Sequence, residues 1–318
     1  MRIQLAAESA QSEHVYGGKP AWLKIRPPTQ KFSELKELVA HFGLHTVCEE
    51  AHCPNISECW SGGTATFMVL GDTCTRGCKF CAIKTGNPKG MLNEAEPFML
   101  AQCVREMNSV AGVETGSAKL DYIVITSVDR DDLPDQGAGH FASCVRQVKL
   151  AVPGIMVEVL TPDFRGSREC VRAVVEAGPD VFDHNIETVK RLQRRVRDPR
   201  AGYEQSLSVL AAVKELNHGV FTKSSIMLGL GESEEEVVEA MRDLRAIDVD
   251  MLTLGQYLRP SSWHLPVSEY VAPETFNKLK VAGEALGFKY VAAGPFVRSS
   301  YRAGEFFVKS VLKKGGSS

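Results

Sequence analysis

Thr64-Ala65-Thr66-Phe67-Met68-Val69-Leu70 runs directly into Gly71-Asp72-Thr73-Cys74-Thr75-Arg76-Gly77-Cys78-Lys79-Phe80-Cys81. The first part is a short apolar run rich in β-branched and aromatic residues, ended by a glycine, which reads as a strand feeding a loop. The second part places three cysteines at C-x3-C-x2-C spacing. A zinc site normally closes with four ligands, and its usual spelling is two C-x2-C pairs separated by a longer loop. Here there are three thiols and no fourth nearby. Three thiolates on a four-iron cluster would leave one iron open, and an open iron binds a substrate.

Outward from this stretch the chain alternates. Strand-like runs recur at Tyr122–Thr126, Ile155–Leu160, Val181–His184, Phe221–Leu228 and Met251–Leu254. Helical patterns lie between them, near 94–108, 138–151, 167–177, 187–197 with 203–217, and 234–246, and Ser233 with Glu236 spells a capping box. Alternation at this length means βαβ units and a parallel sheet. Six such strands joined by right-handed crossovers curl toward a barrel, so the expected fold is α/β, a partial (β/α)6 TIM-like barrel. A doubly wound open sheet is the competing architecture. No G-x-G-x-x-G follows the first strand, and Gly229-Leu230-Gly231 lacks the third glycine and reads as a strand-to-helix turn. Before the barrel, a polar arm over residues 1–30 leads to a helix with Phe32, Leu35, Leu38, Val39 and Phe42 on one face and Gly43 at its end. After it come a helix near 274–286, a short run at Phe288–Ala292, a last helix near 303–313 and a Lys-Lys-Gly-Gly-Ser-Ser tail expected to be disordered. The expected organisation is an N-terminal extension (1–60), the barrel (61–295) and a C-terminal extension (296–318).

Composition narrows the class. With 44% apolar and 24% charged residues the chain has the make-up of a soluble globular protein. Lys and Arg total 37 against 39 Asp and Glu, a balance that argues against nucleic acid, whose phosphates demand a basic excess. No apolar run approaches the ~18 residues of a membrane span. The N-terminus lacks a signal-peptide pattern, and Glu8 and Glu13 are unlike an acid-poor transit peptide. A cytoplasmic protein is expected, or a mitochondrial one if a cleaved segment is missing. Nine cysteines there do not suggest a disulfide framework. Six form two triplets, Cys48/Cys53/Cys59 and Cys74/Cys78/Cys81, while Cys103, Cys144 and Cys170 sit singly among apolar neighbours as core residues do.

In a βα barrel the chemistry sits on loops at the C-terminal ends of the strands, and the second triplet occupies the first such loop. C-x3-C-x2-C with Phe80 before the last cysteine resembles the cluster motif of the radical S-adenosylmethionine enzymes. That resemblance implies a 4Fe–4S cluster held by Cys74, Cys78 and Cys81. Its open iron would chelate S-adenosylmethionine and, once reduced, generate a 5′-deoxyadenosyl radical. The upstream C-x4-C-x5-C of Cys48, Cys53 and Cys59 resembles the auxiliary-cluster motif of the lipoyl synthase family. Arg298-Ser299-Ser300-Tyr301 resembles that family's C-terminal motif, whose second serine, here Ser300, would be the non-cysteine ligand of a second 4Fe–4S cluster. The likeness extends over about residues 20 to 310, including Thr126–Leu133 and Arg194–Arg200. It implies insertion of two sulfur atoms, at C6 and C8 of an octanoyl-lysine on a lipoyl carrier protein, at the expense of the second cluster. It also implies an electron donor such as ferredoxin or flavodoxin and an iron–sulfur carrier for rebuilding. An alkoxide is a harder ligand than thiolate and suits a corner that is to be dismantled.

Other polar residues at the strand ends fit less specifically. By analogy with related barrels, Asn185 and Glu158 are the candidates for S-adenosylmethionine contacts, against the alternative that each merely lines the barrel. His184 reads as structural. Asp129, Asp131 and Asp132 suit either the mouth or helix capping. The Ser299-Ser300 pair taken alone is also a helix N-cap signal. The basic run Lys190, Arg191, Arg194, Arg195, Arg197, Arg200 is by default a solvated face, with carrier-protein docking as the functional alternative. Another radical sulfur-inserting enzyme and a non-catalytic metal-binding scaffold are the rival readings of the whole chain.

Overall fold

The computed structural model describes residue 20, residues 30–50, residues 53, 55, 56 and 59, residues 66–110 and residues 122–300. The expectations for the N-terminal arm up to residue 29, the helix near 303–313 and the terminal tail lie outside the described residues.

The first helix, Gln30–His41, ends where Gly43 takes φ +60° and Leu44 N–H closes on Val39 O at 3.1 Å. Glycine at that left-handed position stops the helix. A two-residue strand, β1 (His45–Thr46), then pairs antiparallel with β2 (Thr66–Val69), and a single helical turn, Val47–Glu50, carries Cys48. Two short strands in the cysteine loop, β3 (Thr73–Cys74) and β4 (Lys84–Thr85), pair with each other. The remaining strands are β5 (Tyr122–Ser127), β6 (Met156–Leu160), β7 (Val181–Asp183), β8 (Phe221–Leu228), β9 (Met251–Gln256) and β10 (Tyr290–Gly294).

The main sheet runs β1-β2-β5-β6-β7-β8-β9-β10. From β2 onward every neighbour is parallel, in chain order. The six expected strands are all present. The short run after residue 288 adds a seventh parallel strand, because β10 pairs with β9 from Tyr290↔Met251 to Gly294↔Gly255. Among the described residues no pairing joins β10 back to β1 or β2.

The strands are buried on both faces, as a parallel sheet wrapped by helices requires. Helix Ala138–Ala151 shows how the crossovers were spelled, with Phe141, Cys144, Val145 and Val148 buried at helical spacing. Ser233 and Glu236 form the expected capping box on helix Glu234–Ala246. Cys103, Cys144 and Cys170 are buried in the core. One boundary differs. The helix expected from residue 187 begins later, as a 3-10 turn at Lys190–Leu192 followed by Gln193–Val196. Glu187 instead hooks onto β8, donating its N–H to Ser225 O at 3.1 Å and accepting from Met227 N–H at 2.9 Å. The ladder of β8 competes for those backbone groups and delays the helix.

Candidate active site

The strand ends open into a cavity of about 550 Å³. Cys74, Cys78 and Cys81 line it from the loop after β2; Cys48, Cys53 and Cys59 line it from the N-terminal segment; Ser300 lines it from the C-terminal one. The structure therefore brings both sequence triplets and the serine to one cavity.

The cysteine loop is bolted down from four directions. Thr75 N–H donates to Asp129 O at 3.0 Å, and Thr75 Oγ1 bonds Asp131 at 2.8 Å. Arg76, whose side chain is 2% exposed, meets Asp129 at 3.2 Å, Asp131 at 3.0 Å and Asp163 at 2.7 Å. Desolvating a guanidinium is offset only by such partners. Gly77 N–H donates to Asp198 at 2.9 Å, and Lys79 N–H to Val196 O at 2.8 Å. Leu265 N–H donates to Lys79 O, and His264 Nε2 donates to Cys81 O at 2.8 Å while Nδ1 is paired with Ser261 Oγ.

Backbone N–H groups point at sulfur, among them Arg76 N–H to Cys74 Sγ at 3.4 Å and Asp198 N–H to Cys78 Sγ at 3.3 Å. Hydrogen bonds to sulfur tune an iron–sulfur centre. Burial pushes the Cys74 and Cys78 thiols up to about 12 and Cys81 up to about 11, with the negative charge of Asp129 adding to the rise. Among the described residues the Arg197 charge opposes the rise at Cys78 without cancelling it. A metal centre supplies more positive charge, and three soft donors on one compact loop, with N–H groups aimed at them, fit an iron–sulfur cluster.

The second set is assembled from the two ends of the chain. Cys53 N–H bonds Cys48 O at 3.0 Å, and Cys59 N–H bonds Asn55 O at 2.9 Å. Asn55 Nδ2 donates to Phe296 O at 2.5 Å, tying this segment to the C-terminal one. The C-terminal segment crosses the end of β9 at Gly255, where a Cβ would stand 2.0 Å from Val297 O. Only glycine lets that backbone pass. Burial raises Cys53, and the charge of Arg298 opposes the rise.

The other candidates divide. Asn185 lines the cavity, and its Oδ1 is buried without a hydrogen-bond partner in the protein. Glu158 does not line it. Its side chain, 1% exposed, is taken by Lys223 at 2.6 Å and by the Tyr122 hydroxyl, with Asp183 3.6 Å from the same ammonium. His184 bonds Thr161 O and Ser206 Oγ, both at 2.9 Å, and burial with the Arg197 charge pulls it down to about 4, so it is neutral and held at both nitrogens. Asp131 is the hub of the loop's arginines, accepting also from Arg165 and Arg200; hydrogen bonds from Arg76, Thr75 and Arg165 hold its carboxyl well below the usual range despite burial. Asp132 pairs with Arg130 at 2.8 Å. Arg197 is buried on the cavity wall, Arg200 pairs with Asp198, Arg191 with Glu236 and Lys190 with Glu204. Arg194 and Arg195 are exposed. Asp163, Asp198 and His264 were missed, although Arg76 between the cysteines signalled that carboxylates must meet it.

A parallel βα sheet with three cysteines on its first loop defines the class, and residues 68–244 match the family model of the radical SAM superfamily. The fold is shared with the FeFe-hydrogenase maturase HydG from Carboxydothermus hydrogenoformans, at TM-score 0.51 and 12% identity over 89% of this chain and 78% of that one. The chain is 58% identical to a chloroplastic lipoyl synthase of Arabidopsis thaliana over 94% of its own length and 75% of the relative's. It is 55% identical to the lipoyl synthase of Thermus thermophilus, over 98% and 93%. It belongs to the lipoyl synthase family, radical SAM enzymes that insert sulfur into octanoyl groups on lipoyl carrier proteins, using S-adenosylmethionine and two 4Fe–4S clusters. Among the described residues no helix is long and apolar enough to cross a membrane.

Proposed function

We propose that Cys74, Cys78 and Cys81 hold the cluster that binds S-adenosylmethionine, and that Cys48, Cys53, Cys59 and Ser300 hold the cluster consumed as sulfur donor at C6 and C8. The observation that supports this most is the convergence of all seven side chains on one cavity. When bound, these groups supply one-electron cleavage of S-adenosylmethionine and two sulfur atoms. The chain's own contribution is placement and exclusion. Arg76, Asp131 and Asp198 fix the loop, Asn185 offers an unpartnered acceptor to the cofactor, and Met68, Phe80, Ile83 and Val297 give the cavity apolar walls. In this reading residues 1–60 and 296–318 are extensions that cover the site of a barrel of residues 61–295, and the Asn55–Phe296 bond is a contact between the two. Glu158, engaged by Lys223, is not carried into this assignment.

Anaerobic reconstitution tests the ligand set. About eight iron atoms per chain are expected from two four-iron clusters, and a reproducible four would overturn it.

The same reading includes docking of an acidic carrier domain beside the mouth, supported by exposed Arg194 and Arg195 next to Arg197 on the cavity wall. A ferredoxin or flavodoxin as reductant and an iron–sulfur carrier complete the cycle. Arg194→Glu with Arg195→Glu is expected to lower kcat/KM for intact octanoylated carrier about tenfold at low salt while leaving a short octanoyl-lysine peptide unaffected. Equal loss on both substrates would exclude docking there.

A further inference from the structure

The cysteine loop leaves the sheet through a residue whose side chain resists the conformation it adopts. Leu70, directly after β2, has φ +71°, and Gly71 follows at φ +87°. Glycine takes this region freely, but a residue with a Cβ stays there only where its surroundings over-determine it. Leu70 is 3% exposed, and its side chain lies against Gly137, where an added Cβ would come within 2.6 Å of Leu70 Cδ1. Its backbone is gripped on both sides. Leu70 N–H donates to Glu96 Oε2 at 2.8 Å, and Arg130 Nη1 donates to Leu70 O at 3.0 Å. Both holders are themselves held: Glu96 Oε2 is 2.7 Å from His140 Nε2, and Arg130 pairs with Asp132 and bonds Met91 O.

Cys144 stands beside Glu96 and His140, with the three donor atoms within 4.8 Å of one another. That spacing is open to a metal ion. However, the Glu96 oxygen already serves Leu70 and His140, and Cys144 is wholly buried in the apolar core. Leu70 accounts for the arrangement without an ion.

We propose that Glu96–His140 and Arg130–Asp132 form a two-sided clamp on Leu70. In this proposal the clamp is a positioning device that sets the angle at which Cys74, Cys78 and Cys81 leave β2. It rests on the reading that these cysteines hold the S-adenosylmethionine-binding cluster. Met68, two residues before Leu70, and Cys74, four after, both line the cavity, whereas Leu70, Glu96, His140 and Arg130 do not. A rotation at Leu70 therefore moves the loop relative to the wall without touching ligand or substrate.

The test uses reconstituted full-length protein carrying Glu96→Leu, Glu96→Gln or Arg130→Gln. Iron content, thermal midpoint, the EPR spectrum of the reduced protein with and without S-adenosylmethionine, and KM for S-adenosylmethionine are measured. Glu96→Leu strips the acceptor from a buried N–H. It is expected to keep its iron, lose much of the EPR change on S-adenosylmethionine addition and raise that KM about tenfold. Glu96→Gln retains an acceptor and stays within about threefold of wild type. Arg130→Gln acts on the opposite side of Leu70 and gives the Glu96→Leu signature, so the clamp is testable even if one variant fails to fold. Variants with full iron, lowered thermal midpoints and wild-type EPR response and KM would overturn the positioning role. A wild-type protein without an S-adenosylmethionine-dependent EPR change would overturn instead the assignment of the three cysteines.

Discussion

Cys78→Ala is expected to reduce 5′-deoxyadenosine formation to background while leaving about half of the iron in place. The sulfur removed is one of three donors on a loop that offers no fourth, so the S-adenosylmethionine-binding cluster loses its seat. The loop itself does not lose its shape. Gly77 stays on Asp198, Lys79 on Val196 and Arg76 on its three carboxylates, and none of these bonds passes through the thiol. The thiol is the acceptor of Asp198 N–H at 3.3 Å, so its removal strips that acceptor and the thermal midpoint of the apoprotein should fall slightly. The measurement is deoxyadenosine by chromatography after chemical reduction, with iron counted in the same sample. A rate above about one-tenth of wild type would mean that less than ~1.4 kcal/mol of transition-state stabilisation depends on this residue, and Cys78 would not be a ligand.

The elements of the barrel were legible wherever two periodicities alternated. Phe141, Val145 and Val148 mark a buried helix face, and the β-branched runs at β5 and β8 mark buried strands. The reading weakened where tertiary pairing overrode local pattern. Ile186, Val189, Leu192 and Val196 have helical spacing, yet Glu187 is drawn onto β8 first. β10 ends in Ala292-Ala293-Gly294, residues with little strand preference of their own, and is a strand because β9 offers it a ladder. The cysteines were legible because their spacing is local. The groups that hold their loop were not, since Asp163 meets Arg76 across 87 positions and Asp198 meets Gly77 across 121. Glu158 shows the converse. An acid inside a strand drew attention as a ligand, but Lys223, 65 positions later, takes one of its oxygens. A buried acid is explained either by a bound cofactor or by a cation elsewhere in the chain, and sequence order does not say which.

Cys53→Ala is expected to separate the two halves of the reaction in the opposite sense: S-adenosylmethionine is still cleaved and no lipoyl product forms. Cys53 belongs to the N-terminal segment, where its N–H bonds Cys48 O and the neighbouring Asn55 side chain bonds the C-terminal Phe296. Its loss removes one of three thiolates from the second site and leaves an alkoxide ligand, the harder and weaker match for iron, unable to retain the cluster with the remaining two. Deoxyadenosine formation should therefore stay within about tenfold of wild type, iron should fall to about four per chain, and the mass of an octanoylated carrier should show no gain of sulfur. Cleavage without insertion distinguishes a sulfur-donating second site from one that only supports the fold, because a purely structural cysteine would lower both readouts together. Lipoyl product from Cys53→Ala at more than trace level would end the assignment of this triplet, whatever the first triplet does.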